Sequence, residues 1–99
     1  MKQTTLYFGT QELNGIHVTY FDFYHFLVNS ITPRFSGYTV INATGFWKGD
    51  TEPTYIVIIL HEGVKVTDKI IDMIRKEYKE LFNQESVLRV DSIPESVSL

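Results

Sequence analysis

Hydrophobic positions change period several times along the chain, and each change marks an element. Thr4 to Gly9 is β-branched and aromatic and closes on a glycine, which predicts a first strand followed by a polar loop through Asn14-Gly15. From Thr19 the period becomes helical. Thr19 and Asp22 have the spacing of a capping box, and Phe23, Phe26, Leu27 and Ile31 share one face until Pro33 stops the run. The aromatic density of residues 20–26 would also suit a strand, and the cap decides for a helix. Tyr38 to Lys48 alternates loosely as a second strand, with Gly45 marking a bulge or a close backbone approach. The polar stretch Gly49 to Pro53 predicts a connecting loop, and Thr54 to His61 a third strand. Thr67 or Asp68 is expected to cap a second helix, whose apolar stripe is Ile70, Ile71, Met73, Ile74, Tyr78, Leu81 and Phe82. Ser86 to Val90 predicts a fourth strand, and Ser92 to Leu99 a C-terminal tail.

The order β-α-β-β-α-β in an α+β chain points to a ferredoxin-like sandwich: a four-stranded antiparallel sheet with two helices on one face, forming a single domain over residues 1–91. Strand three complicates that layout. Tyr55, Ile56, Val57, Ile58, Ile59 and Leu60 put apolar side chains on both sheet faces, whereas a two-layer sandwich covers only one. The second face is therefore expected to pack against other copies of the chain.

Composition narrows the chemistry. At 99 residues there is room for one core, and a chain of this size buries only about 60–70% of its unfolded surface, so subunit contacts would add needed stability. The absence of cysteine removes disulfides, thiolate metal sites and cysteine nucleophiles. Nine basic residues against twelve acidic ones, with no basic cluster, argue against nucleic acid as a partner. The longest apolar run, Tyr55 to Leu60, falls far short of the roughly 20 residues that span a bilayer, so no membrane partner is expected. The segment Met1 to Thr5 leads directly into a strand, which reads as cytoplasmic.

His17, His25 and His61 are too far apart for the short spacings of metal motifs, and no phosphate loop, nucleophile elbow or HExxH is present. No metal or cofactor is expected. What remains is Trp47 at the end of strand two, Glu52 in the connection after it, and Gln84-Glu85 at the entry to strand four. Acids and an amide beside a large aromatic suit a cationic ligand, because the ring face attracts the cation and the carboxylates pair with ammonium groups or hold ribose hydroxyls. Taken singly, the same residues are an interface aromatic, a solvated loop acid and a turn.

Two resemblances add to this reading. The blocks Leu6-Tyr7-Phe8-Gly9, Thr32-Pro33-Arg34-Phe35, Gly45-Phe46-Trp47 and Gln84-Glu85-Ser86-Val87-Leu88-Arg89-Val90 resemble those of a bacterial family of uncharacterised small domains over nearly the whole length. About half of the chain also resembles the phage-encoded S-adenosylmethionine lyases, which protect phage DNA by removing the cofactor of restriction and methylation systems. The matching succession is Thr44-Gly45-Phe46-Trp47-Lys48, Glu52, the strand Tyr55–Leu60, a helix, and Gln84 to Val90.

That second resemblance implies a homotrimer with sites between subunits, with S-adenosylmethionine as the substrate. It also implies cleavage to L-homoserine lactone and 5′-methylthioadenosine by attack of the substrate's own carboxylate. On it Glu52 is the functionally important acid, Glu85 a ligand-binding acid, and Trp47 stands where the family has tyrosine. The hydroxyl so lost is expected from Tyr55 or Tyr7, and the connection between Trp47 and Glu52 is shorter than the family's. The competing readings are a non-catalytic oligomeric domain that binds a small ligand, and a hydrolase acting on the same substrate.

Overall fold

The elements form in the expected order, as β1 (Lys2–Gly9), α1 (Tyr20–Phe26), β2 (Thr39–Trp47), β3 (Asp50–His61), α2 (Lys65–Leu81) and β4 (Leu88–Ser92). The computed structural model describes residues 1–12 and 14–95, so the expected C-terminal tail is described only as far as Glu95 and residues 96–99 lie outside the described residues. The sheet order is β2-β3-β1-β4 with every neighbouring pair antiparallel, and both helices cover one face, which is the ferredoxin-like sandwich.

Strand alternation decides what faces the helices. Leu6 and Phe8 of β1 and Tyr55, Val57 and Ile59 of β3 are buried against Phe23 and Phe26 of α1 and Ile71, Ile74 and Tyr78 of α2. Phe8 is at the centre, with the rings of Tyr78, Phe23 and Phe26 at 4.7, 5.5 and 5.6 Å. Such tilted and edge contacts contribute about 0.5–1.5 kcal/mol per pair beyond the area they bury.

Helix α1 begins as its cap dictates. The Thr19 hydroxyl accepts the Asp22 N–H at 3.1 Å and the Asp22 carboxylate accepts the Thr19 N–H at 3.4 Å. It then widens into a π-helical turn, Leu27–Ile31, closed by the Thr32 N–H on the Leu27 carbonyl at 2.9 Å. Arg34 braces that turn by donating to the Ser30 carbonyl and pairing with Glu77 of α2.

Three expectations need correction. Helix α2 starts at Lys65 with Val64 as its uncapped entry, because Asp68 is engaged elsewhere, by Arg89 at 2.7 Å and Lys2 at 3.2 Å. Strand β4 begins two residues later than its β-branched pattern suggested, at Leu88 opposite Tyr7. Of the loop expected over residues 49–53, residues 50–53 are strand. Lys48 and Gly49 adopt left-handed backbone (φ 50° and 83°), giving a two-residue hairpin turn, and β3 runs from Asp50 with Glu52 paired to Gly45. Gly45 makes a close approach and no bulge: a β-carbon there would stand 2.7 Å from the Thr54 hydroxyl.

On the uncovered face, Ile56 and Ile58 of β3 are half-buried, while Ile41, Leu60, Leu88 and Val90 around them are more than 40% exposed. The two-sided apolar character of β3 thus leaves an aliphatic sheet face without cover in the single chain. Among the described residues, no helix is long and apolar enough to cross a membrane.

The polar groups buried at the far end of the sheet are satisfied in series. The Gly63 N–H donates to His61 Nδ1 at 3.0 Å, so the ring is neutral with its proton on Nε2. Nε2 lies 2.7 Å from the Thr4 hydroxyl, which donates to Asp91 at 2.6 Å. Burial holds the His61 imidazole below its ordinary value. Asp68 is held low by Arg89 and Lys2; burial pulls Asp72 and Asp91 upward, but bonds from Arg75 and Arg89 to Asp72, and from Thr4 and Arg89 to Asp91, outweigh it.

Acid is expected to weaken the fold in two stages. Below the ordinary histidine value of 6.5 the unfolded chain takes up a proton that folded His61 refuses, and below about 3.8 the unfolded carboxylates do the same against their lowered folded counterparts. The urea midpoint should therefore fall between pH 7.5 and 5.5 and again below pH 4, and a midpoint that rose on acidification would contradict the network. Gly45→Ala should lower stability by about 1–3 kcal/mol in the same assay, because the added carbon must displace Thr54.

Candidate functional site

Unequal strand lengths open a notch at one end of the bare face. Strand β1 stops at Gly9 opposite Thr54, and β4 reaches only to Leu88 opposite Tyr7, while the β2–β3 hairpin continues past both to its turn at Lys48-Gly49. The hairpin forms one wall, the α2–β4 connection from Gln84 to Leu88 the other, and Tyr7 and Gly9 the floor. The cleft between them measures about 750 Å³.

Glu52 is fixed at its centre. Past Gly9 the chain leaves the ladder, so the N–H groups of Thr10 and Gln11 have no strand partner, and the Glu52 carboxylate accepts both through Oε2, at 3.3 and 3.0 Å. The side chain lies across Gly9, where a β-carbon would come within 3.1 Å of Glu52 Oε1. Gln84 crosses from the opposite wall, its amide nitrogen donating to the carbonyls of Gln11 (3.0 Å) and Phe82 (3.2 Å). Beneath the floor, the buried Tyr78 hydroxyl donates to the Gly9 carbonyl at 2.6 Å, and Thr10 donates to the Pro53 carbonyl at 2.6 Å. Burial, with smaller contributions from Tyr55 and Glu52, pushes the Tyr78 phenol far above its ordinary value, so it stays a neutral donor.

Of the residues singled out from sequence, Trp47, Glu52, Gln84 and Glu85 all line this cleft. Trp47 is 71% exposed near the hairpin tip, with the Lys48 ammonium 5.6 Å from its ring. Tyr55 does not join them. Strand alternation turns it to the helical face, where its ring stacks on Phe23 at 4.2 Å and burial, with Tyr20 adding, raises its phenol. Tyr7, on the opposite face, is the tyrosine that reaches the cleft.

Sequence reasoning passed over Gly9, Gln11, Glu12 and Asp50, which also line it. The ending of the first strand on a glycine was their one available signal. Four acids, Glu12, Asp50, Glu52 and Glu85, face one base, Lys48, so the cleft favours a cation with an apolar or aromatic body. A smaller cavity of about 360 Å³ lies on the helical side against Phe21, Phe26 and Leu81 and holds none of the predicted site residues. No group of three His, Asp or Glu side chains suited to a metal ion occurs among the described residues.

Comparison with known proteins bears on the fold. No curated protein matches the sequence. Two solved structures share the fold. A phage SAM lyase in its apo state superposes with a TM-score of 0.68 at 16% identity, over 92% of this chain and 78% of that one. A phage SAM lyase in complex with S-methyl-5′-thioadenosine gives 0.62 at 19% identity, over 92% and 79%. At such identities the likeness is one of fold. In sequence, residues 3–98 match a family model described as a protein of unknown function, DUF3574, and the chain belongs to that family.

Proposed function

We propose that the cleft binds S-adenosylmethionine and that the protein is a lyase, releasing L-homoserine lactone and 5′-methylthioadenosine. The observation that carries this reading is the convergence of Trp47, Glu52, Gln84 and Glu85 on one acid-rich cleft, in a fold shared with a phage SAM lyase. The ligand of the second solved structure, S-methyl-5′-thioadenosine, is one of the two products of this reaction.

The chemistry asks little of the protein beyond placement. The substrate's carboxylate attacks its own γ-carbon, the carbon–sulfur bond breaks, and the sulfonium leaves as a neutral thioether, so no protein nucleophile or proton is consumed. Holding carboxylate, carbon and sulfur in line supplies several kcal/mol of the barrier. Because opposite charges neutralise as the transition state forms, a dry site assists the reaction and an ion pair to either charge hinders it. Glu52 therefore grips the ammonium or the ribose of the substrate and not the sulfonium, while Trp47 and Tyr7 shield the sulfonium and the reacting carbon from water. Glu85 and the amide of Gln84 complete the polar lining.

In the same reading the aliphatic face of Ile41, Ile56, Ile58, Leu88 and Val90 is buried between copies, three of them by the resemblance to the phage family. It also places the protein in the cytoplasm, where its substrate is made and used.

Incubating the purified protein with S-adenosylmethionine and following products by chromatography should show methylthioadenosine and lactone in equal amounts. Homoserine with no lactone precursor would make the protein a hydrolase, and binding without turnover a ligand-binding module. Glu52→Gln keeps an oxygen for the Thr10 and Gln11 N–H groups but turns the free acceptor into a donor; turnover should drop at least 100-fold with the melting temperature little changed. Light scattering should give a mass near three chains, and a monomer would contradict the burial of the sheet face.

A further inference from the structure

Two oxygens in the cleft border the same spot without a donor. Gln84 has its amide orientation fixed, because its nitrogen must face the carbonyls of Gln11 and Phe82; Oε1 is then the atom 3.5 Å from where a Gly9 β-carbon would stand. Glu52 spends Oε2 on the Thr10 and Gln11 N–H groups, leaving Oε1 3.1 Å from that point. Neither Oε1 accepts a hydrogen bond from any described residue. Gly9 itself carries no side chain and lines the cleft beside them.

We infer that this spot over Gly9 seats a primary ammonium group of the ligand. Both atoms have lone pairs and no hydrogens and are open to solvent, so a single ligand group that answers both at once must bring at least two N–H or O–H donors. A carboxylate, a carbonyl or a sulfonium brings none. A vicinal diol is held best by both oxygens of a carboxylate, and Glu52 has only one to offer. An ammonium carries three diverging N–H bonds and a positive charge, and the four acids of the cleft against Lys48 favour that charge.

Resting on the functional reading above, the ammonium is that of the methionine moiety. The consequence is mechanistic: the substrate is gripped by its amino group while its carboxylate finds no guanidinium, and only Lys48 as a cation, in the cleft lining, so it remains free to attack. Gly9 is then a specificity-determining position, since a side chain there fills the seat.

The test separates this inference from the lyase assignment. In calorimetric titrations Gly9→Ala should weaken S-adenosylmethionine binding at least 10-fold and leave 5′-methylthioadenosine, which has no ammonium, within twofold of wild type. Gly9 does not have the positive φ that alanine resists, and a melting curve checks folding. Equal losses for both ligands, or none, would overturn the seat. If the wild-type protein binds neither nucleoside the lyase reading fails, and the seat is judged on amide spectra of the wild-type chain. Methylammonium should move the signals of Gly9, Thr10 and Gln11, and tetramethylammonium, a cation without donors, should not. Equal movement by both ions, or no movement, refutes it.

Discussion

The bonds from the Thr10 and Gln11 N–H groups to the Glu52 carboxylate are what the cleft depends on. Where β1 ends, its backbone donors face the outer part of β3 and would be left to water. One acidic side chain takes both, which lets β1 peel away from the sheet while the hairpin continues. The notch, the bare floor at Gly9 and the fixed direction of Glu52 Oε1 follow from that substitution of a side chain for a strand. Gln84 and Tyr78 secure the same few residues from the far wall and from below. The carboxylate is thus set in place before any ligand arrives, which spares the ordering cost that a mobile loop acid would add on binding.

The two ends of the sheet divide the polar work. Around His61, Thr4 and Asp91, every polar group is answered by another and the charges of Lys2 and Arg89 are matched by Asp68, Asp72 and Asp91. At the cleft, acids outnumber bases and acceptor atoms are left open. Closed hydrogen-bond accounts suit stability, and open ones of a single sign suit a ligand of the opposite sign.

The apolar sheet face links the site to assembly. Leu88 belongs both to the cleft and to the run of aliphatic residues on that face, so anything that covers the face also closes one side of the cleft. On the proposed reaction this matters, because neutralisation of a carboxylate by a sulfonium is favoured where water is excluded.

Most of the architecture was legible in the chain because it rests on local patterns. The capping box at Thr19, the period of α2 and the uninterrupted apolar run of β3 each specify an element from neighbouring residues alone, and their order specifies the sandwich. Trp47, Glu52, Gln84 and Glu85 could be named as candidates from residue type. Their meeting could not be derived, since it depends on where β1 and β4 stop, and that is set by the pairing of β1 with β3 and β4, segments more than forty residues apart. Strand pairing also turned the expected loop around Glu52 into strand, here within a hairpin that sets Glu52 opposite Gly45, as the left-handed backbone at Lys48 and Gly49 lets a two-residue turn replace a longer one. It also sent Tyr55 to the core and Tyr7 to the cleft, because in a strand the face a side chain occupies is fixed by register against its neighbours, a property of the assembled sheet.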